Sequence, residues 1–450
     1  MRKVAALSAF FAVTAPSYSW AASDKNENGF IEDSHLNILN RDFYFSQDFR
    51  NGSSATNPHT GASQSRRAEW AHAVIGRFES GFTQGPVGFG VDAYGQFGVK
   101  LDGGDGVVGN GVGGPGLIPR KGDNNGEPKD EWGKAGGAVK VRAFDTVVKY
   151  GDVSPTSPVL HAGDIRLLPQ TLTGLIFDNT SIAGLKIEGG KLTASSDRSG
   201  VNHSGDLGTV YGGRLTGADD VQYIGADYRF NDNWSFKLHT SRLDNVWNQS
   251  FARVDFKQRL TPTITWYTGL NYYRTRDSGE ALLGKIDNDS WSTHLGLNVG
   301  FNRFLLAYEQ VRGDSPFDYV WNTYDLELDN ASQWSDFNNP NERSWQASYT
   351  YDFAGLGLPG LSLTGRYLRG DNIDGTRATG GYTAFNSVSD GKHWERDFWA
   401  SYIVQSGPAK DLKLQVLQAT HRVGGDFGNY DSNVDELRVI VEYPLDLRML

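Results

Sequence analysis

The chain has 450 residues, 53 acidic against 43 basic, a formal net charge of −10 and no cysteine. The acidic balance excludes the basic face that nucleic-acid phosphate requires, and the lack of thiols excludes a disulfide frame and any thiolate site. Fifty-five glycines, 20 tyrosines and 12 tryptophans against 2 methionines favour strands over helices.

The chain opens on "MRK", an apolar run from Val4 to Val13 and the small residues of "SYSWAAS". That pattern is a secretory signal peptide over residues 1–21, cleaved near Ala21 or Ala22. Losing Arg2 and Lys3 takes the formal charge from −10 to −12. Residues 22–450 follow as one domain, with no linker or charge run to divide them. No later segment is apolar long enough to span a bilayer as a helix. The mean hydropathy of −0.47 looks soluble. However, a membrane barrel is also hydrophilic on average, because half of each strand faces water.

Next comes "DKNENGFIED" at 24–33. Asp24, Asn26, Asn28 and Gly29 match the early ligand and turn positions of an EF-hand loop. The closing bidentate glutamate of such a loop is replaced by His35, and leader cleavage leaves no room for an entering helix. The stretch reads as a lead into the first strand, and no metal or cofactor is expected.

From there, alternation dominates. In "AVKVRAF" Lys140 and Arg142 oppose Val139 and Val141. In "WSFKLHTS" Trp234, Phe236 and Leu238 oppose Lys237 and His239. Trp345, Ala347, Tyr349 and Tyr351 oppose Ser344, Gln346 and Ser348; Leu361, Leu363 and Tyr367 oppose Thr364 and Arg366. Phe398, Ala400 and Tyr402 oppose Asp397, Trp399 and Ser401, and Leu437 to Met449 alternate with Glu436, Arg438 and Glu442. A period of two means strands with a different solvent on each face. Pro444 is expected to end regular pairing.

Short turn signals at 230–233, 260–263, 300–302 and 406–411 alternate with long polar stretches at 102–136, 195–220, 312–343 and 369–394. Short periplasmic turns and long outer loops are the pattern of an outer-membrane β-barrel. At roughly 24 residues per strand and its share of connections, the chain gives about 18 antiparallel strands. Tyr94, Tyr150, Tyr228, Trp234, Trp266, Tyr267, Tyr308, Trp345, Tyr402 and Tyr443 lie at run ends, as interfacial girdles would. A soluble propeller would instead repeat a blade motif, and no such repeat is present.

Several segments carry a family resemblance. They include "GFIEDSHLNILNRDFYF" at 29–45, "SGFTQGPVGFGVDA" at 80–93, "RLLPQTLTG" at 166–174, "GDSPFDY" at 313–319 and "DELRVIVEYPL" at 435–445. The chain resembles the OprD (porin D-like) family of substrate-selective outer-membrane channels. The resemblance implies an all-β, 18-stranded transmembrane barrel, monomeric or a loose homotrimer, in the outer membrane of a Gram-negative bacterium. Inward-folded loops would narrow the pore, with outer-membrane lipid and lipopolysaccharide outside. The implied activity is passive uptake of small carboxylate-bearing solutes along a row of basic lumen residues facing an acidic patch.

Parity places Lys140, Arg142, Arg366 and Arg438 on the polar face, and the family motifs add Arg41, Arg67 and Arg166. Arg166 falls in the stretch that forms the family's constriction loop. Acidic candidates are Asp164, Asp314 and Asp318, with Tyr319. Fixed guanidinium groups replace the hydration a carboxylate loses in a narrow pore, and several in a row avoid deep trapping. Equally, lumen charges can be paired for stability, as Glu436 suggests for Arg438. Where basic-amino-acid-selective members are cationic, this chain has Ser348, Ser401, Gln415 and Leu417. The resemblance therefore leans towards aromatic or other monocarboxylates.

Two other functions fit the sequence less well. A structural or adhesive barrel would use its long loops to bind something outside. A secreted serine-type peptidase would use Ser315 of "GDSP", but no motif supplies its base and oxyanion hole. The chain is expected to be no enzyme.

Overall fold

The computed structural model describes residues 29–57, 61–103, 116–121, 127–198, 200–201, 203, 205, 207–213, 216–323 and 327–448. The expected leader at 1–21, the ligand-like residues Asp24, Asn26 and Asn28, and most of the glycine-rich stretch 103–116 lie outside these residues.

Eighteen strands build one closed sheet. They run β1 His35–Phe49, β2 Arg66–Glu79, β3 Val87–Asp102, β4 Glu131–Ala143, β5 Thr146–Val153 and β6 Thr171–Ile182. Then come β7 Leu185–Ser196, β8 Val221–Arg229, β9 Trp234–Leu243, β10 Trp247–Thr261, β11 Ile264–Asp277 and β12 Asp287–Val299. The last are β13 Asn302–Arg312, β14 Arg343–Asp352, β15 Leu361–Ile373, β16 Gly391–Ile403, β17 Lys413–Gly424 and β18 Val434–Arg448. Each pairs antiparallel with its chain neighbour. β1 closes the barrel on β18, from Phe49↔Val434 to His35↔Arg448. Closure removes every sheet edge, the condition for a sheet in a bilayer.

Connections alternate as expected. The start of β1 and the end of β18 share one end with tight turns such as 144–145, 183–184 and 300–301. The other end carries loops L1 (50–65), L2 (103–130), L3 (154–170), L4 (197–220), L5 (244–246), L6 (278–286), L7 (313–342), L8 (374–390) and L9 (425–433).

The alternating faces separate as the sequence requires. Leu238, Leu295, Leu306 and Phe398 point outward and are exposed, while His239, His294, Ala307 and Asp397 point inward and are buried. Two of the expected girdle residues are corrected. Tyr94 and Tyr267 face the lumen, where Tyr94 Oη bonds Asp152 (3.3 Å) and the Tyr267 ring lies 5.8 Å from that of His294. Each is paired across the sheet with a glycine, Gly136 or Gly296. A Cβ on Gly296 would come within 2.0 Å of the Tyr267 ring, so the missing side chain makes room for the ring inside the wall. Pro444 does not end the strand either. It lies beyond the last β17 pair, Lys413↔Glu442, where β18 continues against β1 alone.

The barrel is packed inside. Val159 and Leu160 of L3, Leu207 of L4, Phe317 and Val320 of L7, and Tyr382 and Phe385 of L8 share one apolar cluster with Trp247, Phe251 and Tyr273 of the wall. A second cluster joins Leu117 and Ile118 of L2 and Leu167 and Leu168 of L3 to Phe43, Phe45, Ala71, Ala73 and Ile75. Each large side chain buried this way favours the inward loop by about 1.5–3 kcal/mol.

The outward face of Leu306, midway along β13, generates a prediction. Leu306→Arg should cost about 2–4 kcal/mol in refolding into lipid bilayers, whereas an equal substitution in an outer loop should not. Equal unfolding midpoints for both would contradict a lipid-facing β13.

Candidate functional site

A loop folded into a barrel carries backbone N–H groups that must find partners away from bulk water. Carboxylates on the lumen wall supply many of them. Glu69 of β2 accepts from the amides of Leu117 and Ile118 in L2. Glu309 of β13 accepts from Asn330 N (2.9 Å), and Glu395 of β16 from Trp334 N (2.8 Å) and Ser335 N (3.0 Å).

Wall cations hold the loop carbonyls. Arg366 Nη1 donates to Ala331 O (3.1 Å), Arg438 Nη2 to Gln333 O (2.7 Å), and Lys134 Nζ to the carbonyls of Ser196 and Asp197. Glu327 of L7 is gripped by Lys237 and Arg253. Burial opposes its ionised form, but those two cations prevail and hold its carboxyl below the ordinary range. Residues 327–335 of L7 are thus stitched along the inner wall from β9 round to β18.

One region of this lumen is rich in cations. Arg67, Arg166 and Arg438 approach a single ring, Phe45 of β1, with guanidinium carbons 5.8, 5.3 and 5.8 Å from its centroid. Arg198 of L4 adds a fourth guanidinium that acts electrostatically on Arg166. Arg198 Nε donates to Asn322 (2.9 Å), while its Nη1 is buried with no hydrogen-bond partner among the described residues. Burial lowers the Arg198 guanidinium to about 10. Burial, with Arg438 and Arg198 adding like charge, brings Arg166 well below its ordinary value against the pull of Glu436. Two acids stand among these cations: Glu436 pairs with Arg438 (2.6 Å) and also accepts from Gln47, while Glu69 holds the L2 amides, and both act electrostatically on Arg67.

The remaining sequence candidates fall into three places. Arg41 is an anchor: it pairs with Asp164 (2.6 Å) and Glu442 (2.8 Å) and donates to the carbonyls of Arg166 and Leu167. It therefore fixes L3, which carries Arg166. Lys140 and Arg142 lie near the periplasmic end against the Phe82 ring, with Lys140 paired to Asp92 (2.6 Å). Arg366 pairs with Asp397 (2.7 Å) and stacks on Trp399 (4.4 Å). Its cross-strand partner is Ser348, and Ser401 pairs with Gln415, so this stretch of wall carries one cation beside an aromatic ring.

The acidic candidates do not form one patch. Asp318 is buried where L4, L7 and L8 meet, accepting from Tyr211 N, Gly212 N and Tyr382 Oη. Burial still raises its carboxyl above the ordinary range. Tyr319 donates to Asp336 (2.6 Å). Asp314 is apart from both, half-buried in L7 and paired with the exposed Arg377.

The peptidase expectation finds no support at Ser315. Its side chain is buried, and its Oγ has no hydrogen-bond partner among the described residues, so no base reaches it. A serine–histidine–aspartate contact does exist elsewhere. Ser157 of L3 meets His239 Nδ1 (3.0 Å), and His239 Nε2 meets Asp227 (2.9 Å). The ring nitrogens are reversed relative to a protease triad, and the serine and imidazole are wholly buried. The contact ties L3 to the wall.

Arg198, Glu69, Glu327 and Glu395 were missed by sequence reasoning as site residues. Parity marks Glu395 as a lumen residue, but nothing in a period of two says which lumen acids hold loop amides. Arg198 and Glu327 lie in loops, where periodicity carries no information.

The model of the outer membrane porin OprD family matches residues 28–447. Porin D of Pseudomonas aeruginosa is 39% identical over 453 residues, covering 97% of each chain. The crystal structure of a BenF-like porin from Pseudomonas fluorescens is 35% identical with a TM-score of 0.83, covering 93% of this chain and all of that one. OpdK of Pseudomonas aeruginosa, solved with vanillate, is 33% identical with a TM-score of 0.81, again over 93% of this chain and all of that one.

Arg41→Ala leaves Asp164 and Glu442 without their shared cation. It should destabilise the barrel by about 3–5 kcal/mol in denaturant unfolding and raise open-channel current fluctuations as L3 loosens. Unchanged stability and unchanged noise would show that Arg41 does not hold L3.

Proposed function

The chain belongs to the OprD family of outer-membrane porins, and we propose that it is a passive channel for small monocarboxylates, aromatic ones among them. It resides in the outer membrane of a Gram-negative bacterium, where its apolar band meets membrane lipid and lipopolysaccharide. The observation that carries the reading is the gathering of four guanidinium groups, those of Arg67, Arg166, Arg198 and Arg438, in one region of the lumen. Guanidinium groups offer paired N–H donors that match a carboxylate and replace its lost water. Their mutual repulsion falls when an anion arrives, and a row of sites keeps each from holding it too long.

Two further features favour monocarboxylates with an aromatic body. The wall at Arg366 presents Trp399, Ser348, Ser401 and Gln415 in place of further cations. OpdK, of the same fold, was solved with vanillate, an aromatic monocarboxylate. Arg41, Arg67, Arg166 and Arg198 lie where L3 and L4 meet the wall, with Lys140 and Arg142 nearer the periplasm. No catalytic role is assigned to any residue.

Arg166→Ala and Arg198→Ala should each slow benzoate entry into proteoliposomes by about tenfold, the effect of losing one charge-assisted contact of about 1.4 kcal/mol. Entry of the uncharged amide of the same acid should change little. Equal slowing of acid and amide would mean a changed pore size and would defeat the electrostatic reading.

A further inference from the structure

Beneath L7 and L9, on the lumen face of the barrel's outer end, two histidines approach one another. His393 of β16 and His421 of β17 are both buried, with His393 Nδ1 2.9 Å from His421 Nε2. Asp431 of L9 stands beside them, its Oδ2 3.7 Å from His421 Nε2. One ligand atom from each of the three lies within 4.8 Å of the others. Phe337 stacks on His393 at 4.1 Å, and Trp334 lies over His421, so the pair is walled off from the pore.

The outward nitrogens are already committed. His421 Nδ1 meets the carbonyl of Ser432 (2.9 Å), which can only accept, so Nδ1 carries the proton and Nε2 presents its lone pair inward. His393 Nε2 meets Glu342 Oε1 (2.6 Å), and the other oxygen of that carboxylate accepts from Asn339 N and Nδ2. The Glu342 carboxyl group thereby holds the His393 ring by Nε2 and turns Nδ1 inward. His393 Nδ1 and His421 Nε2 then face each other across a gap of 2.9 Å. A carbonyl or carboxylate behind each imidazole is the outer arrangement that orients metal-binding histidines.

We propose that His393 Nδ1, His421 Nε2 and an Asp431 carboxylate oxygen form a binding site for a divalent transition cation, with zinc the best match. The cation sits between the two inward nitrogens, and any proton held there leaves to solvent as it binds. Two nitrogens on a tetrahedral zinc stand about 3.4 Å apart, so the rings need only part by a few tenths of an ångström. Two imidazoles and one carboxylate suit zinc, whereas calcium and magnesium prefer all-oxygen shells. The fourth position is left for water. Because the ligands come from β16, β17 and L9, and Glu342 joins L7 behind them, the ion would staple two outer loops to the wall. This site lies apart from the arginine cluster and does not depend on the transport reading.

The test uses the full mature barrel in detergent, stripped with chelator. Calorimetric titration with zinc should show one ion per chain, with no matching heat from magnesium. Cobalt(II) should give the visible absorption of a low-coordinate nitrogen and oxygen site. Asp431→Asn and His421→Gln should abolish both signals, and Glu342→Gln should weaken zinc by about 10–100-fold. Heat-modifiable gel mobility of each variant shows that its barrel is formed. Absence of stoichiometric zinc in the wild type would overturn the proposal. So would zinc affinity and a cobalt spectrum that persist unchanged in folded Asp431→Asn and His421→Gln.

Discussion

The structure depends on the pairing of buried loop amides with carboxylates on the lumen wall. A closed sheet satisfies its own backbone, but a loop that turns inward does not. Glu69, Glu309 and Glu395 accept from the amides of L2 and L7, and Arg41, Arg366 and Arg438 hold the opposing carbonyls. Without these contacts the inward loops would expose unpaired N–H groups in a confined space, each costing about 1–3 kcal/mol. The loops would then return to water and the lumen would widen.

The same contacts set the charge of the pore. The chain is acidic overall, yet beside the Phe45 ring Glu69 holds the L2 amides and Glu436 is shared between Arg438 and Gln333 of L7. Arg438 and Arg198 stand close enough to Arg166 that like charge adds to the effect of its burial. On the proposed reading, local selectivity follows from how these charges are shared out rather than from the chain's net charge. Arg41 illustrates the division. It belongs by sequence to the basic row, but with two carboxylates and two carbonyls it acts as a fastener for the loop that presents Arg166.

The barrel was legible because a period of two is a local property. Leu238 against His239, or Phe398 against Asp397, declares its face from its neighbours alone. The 18 strands and the alternation of turns and loops follow from spacing and length. Tyr94 and Tyr267, expected in the girdles, face the lumen instead; the room for their rings comes from Gly136 and Gly296 in the next strand, and that register is not written locally. The site was legible in part. Arg67, Arg166 and Arg438 were named as candidates and meet at one ring. Arg198 lies in L4, where no periodicity orients it. Asp314 and Asp318 are near in sequence, yet one is half-buried beside the exposed Arg377 and the other buried among loops.

The most direct test of the central claim, that this lumen offers a net positive path for carboxylates, is single-channel recording on the wild-type protein in planar bilayers. Benzoate should interrupt the ionic current in a concentration-dependent way from either side, and a salt gradient should give a reversal potential of anion-selective sign. Benzamide, of the same shape without the charge, should leave the current undisturbed. Equal interruptions by acid and amide, or a cation-selective reversal potential, would contradict the account.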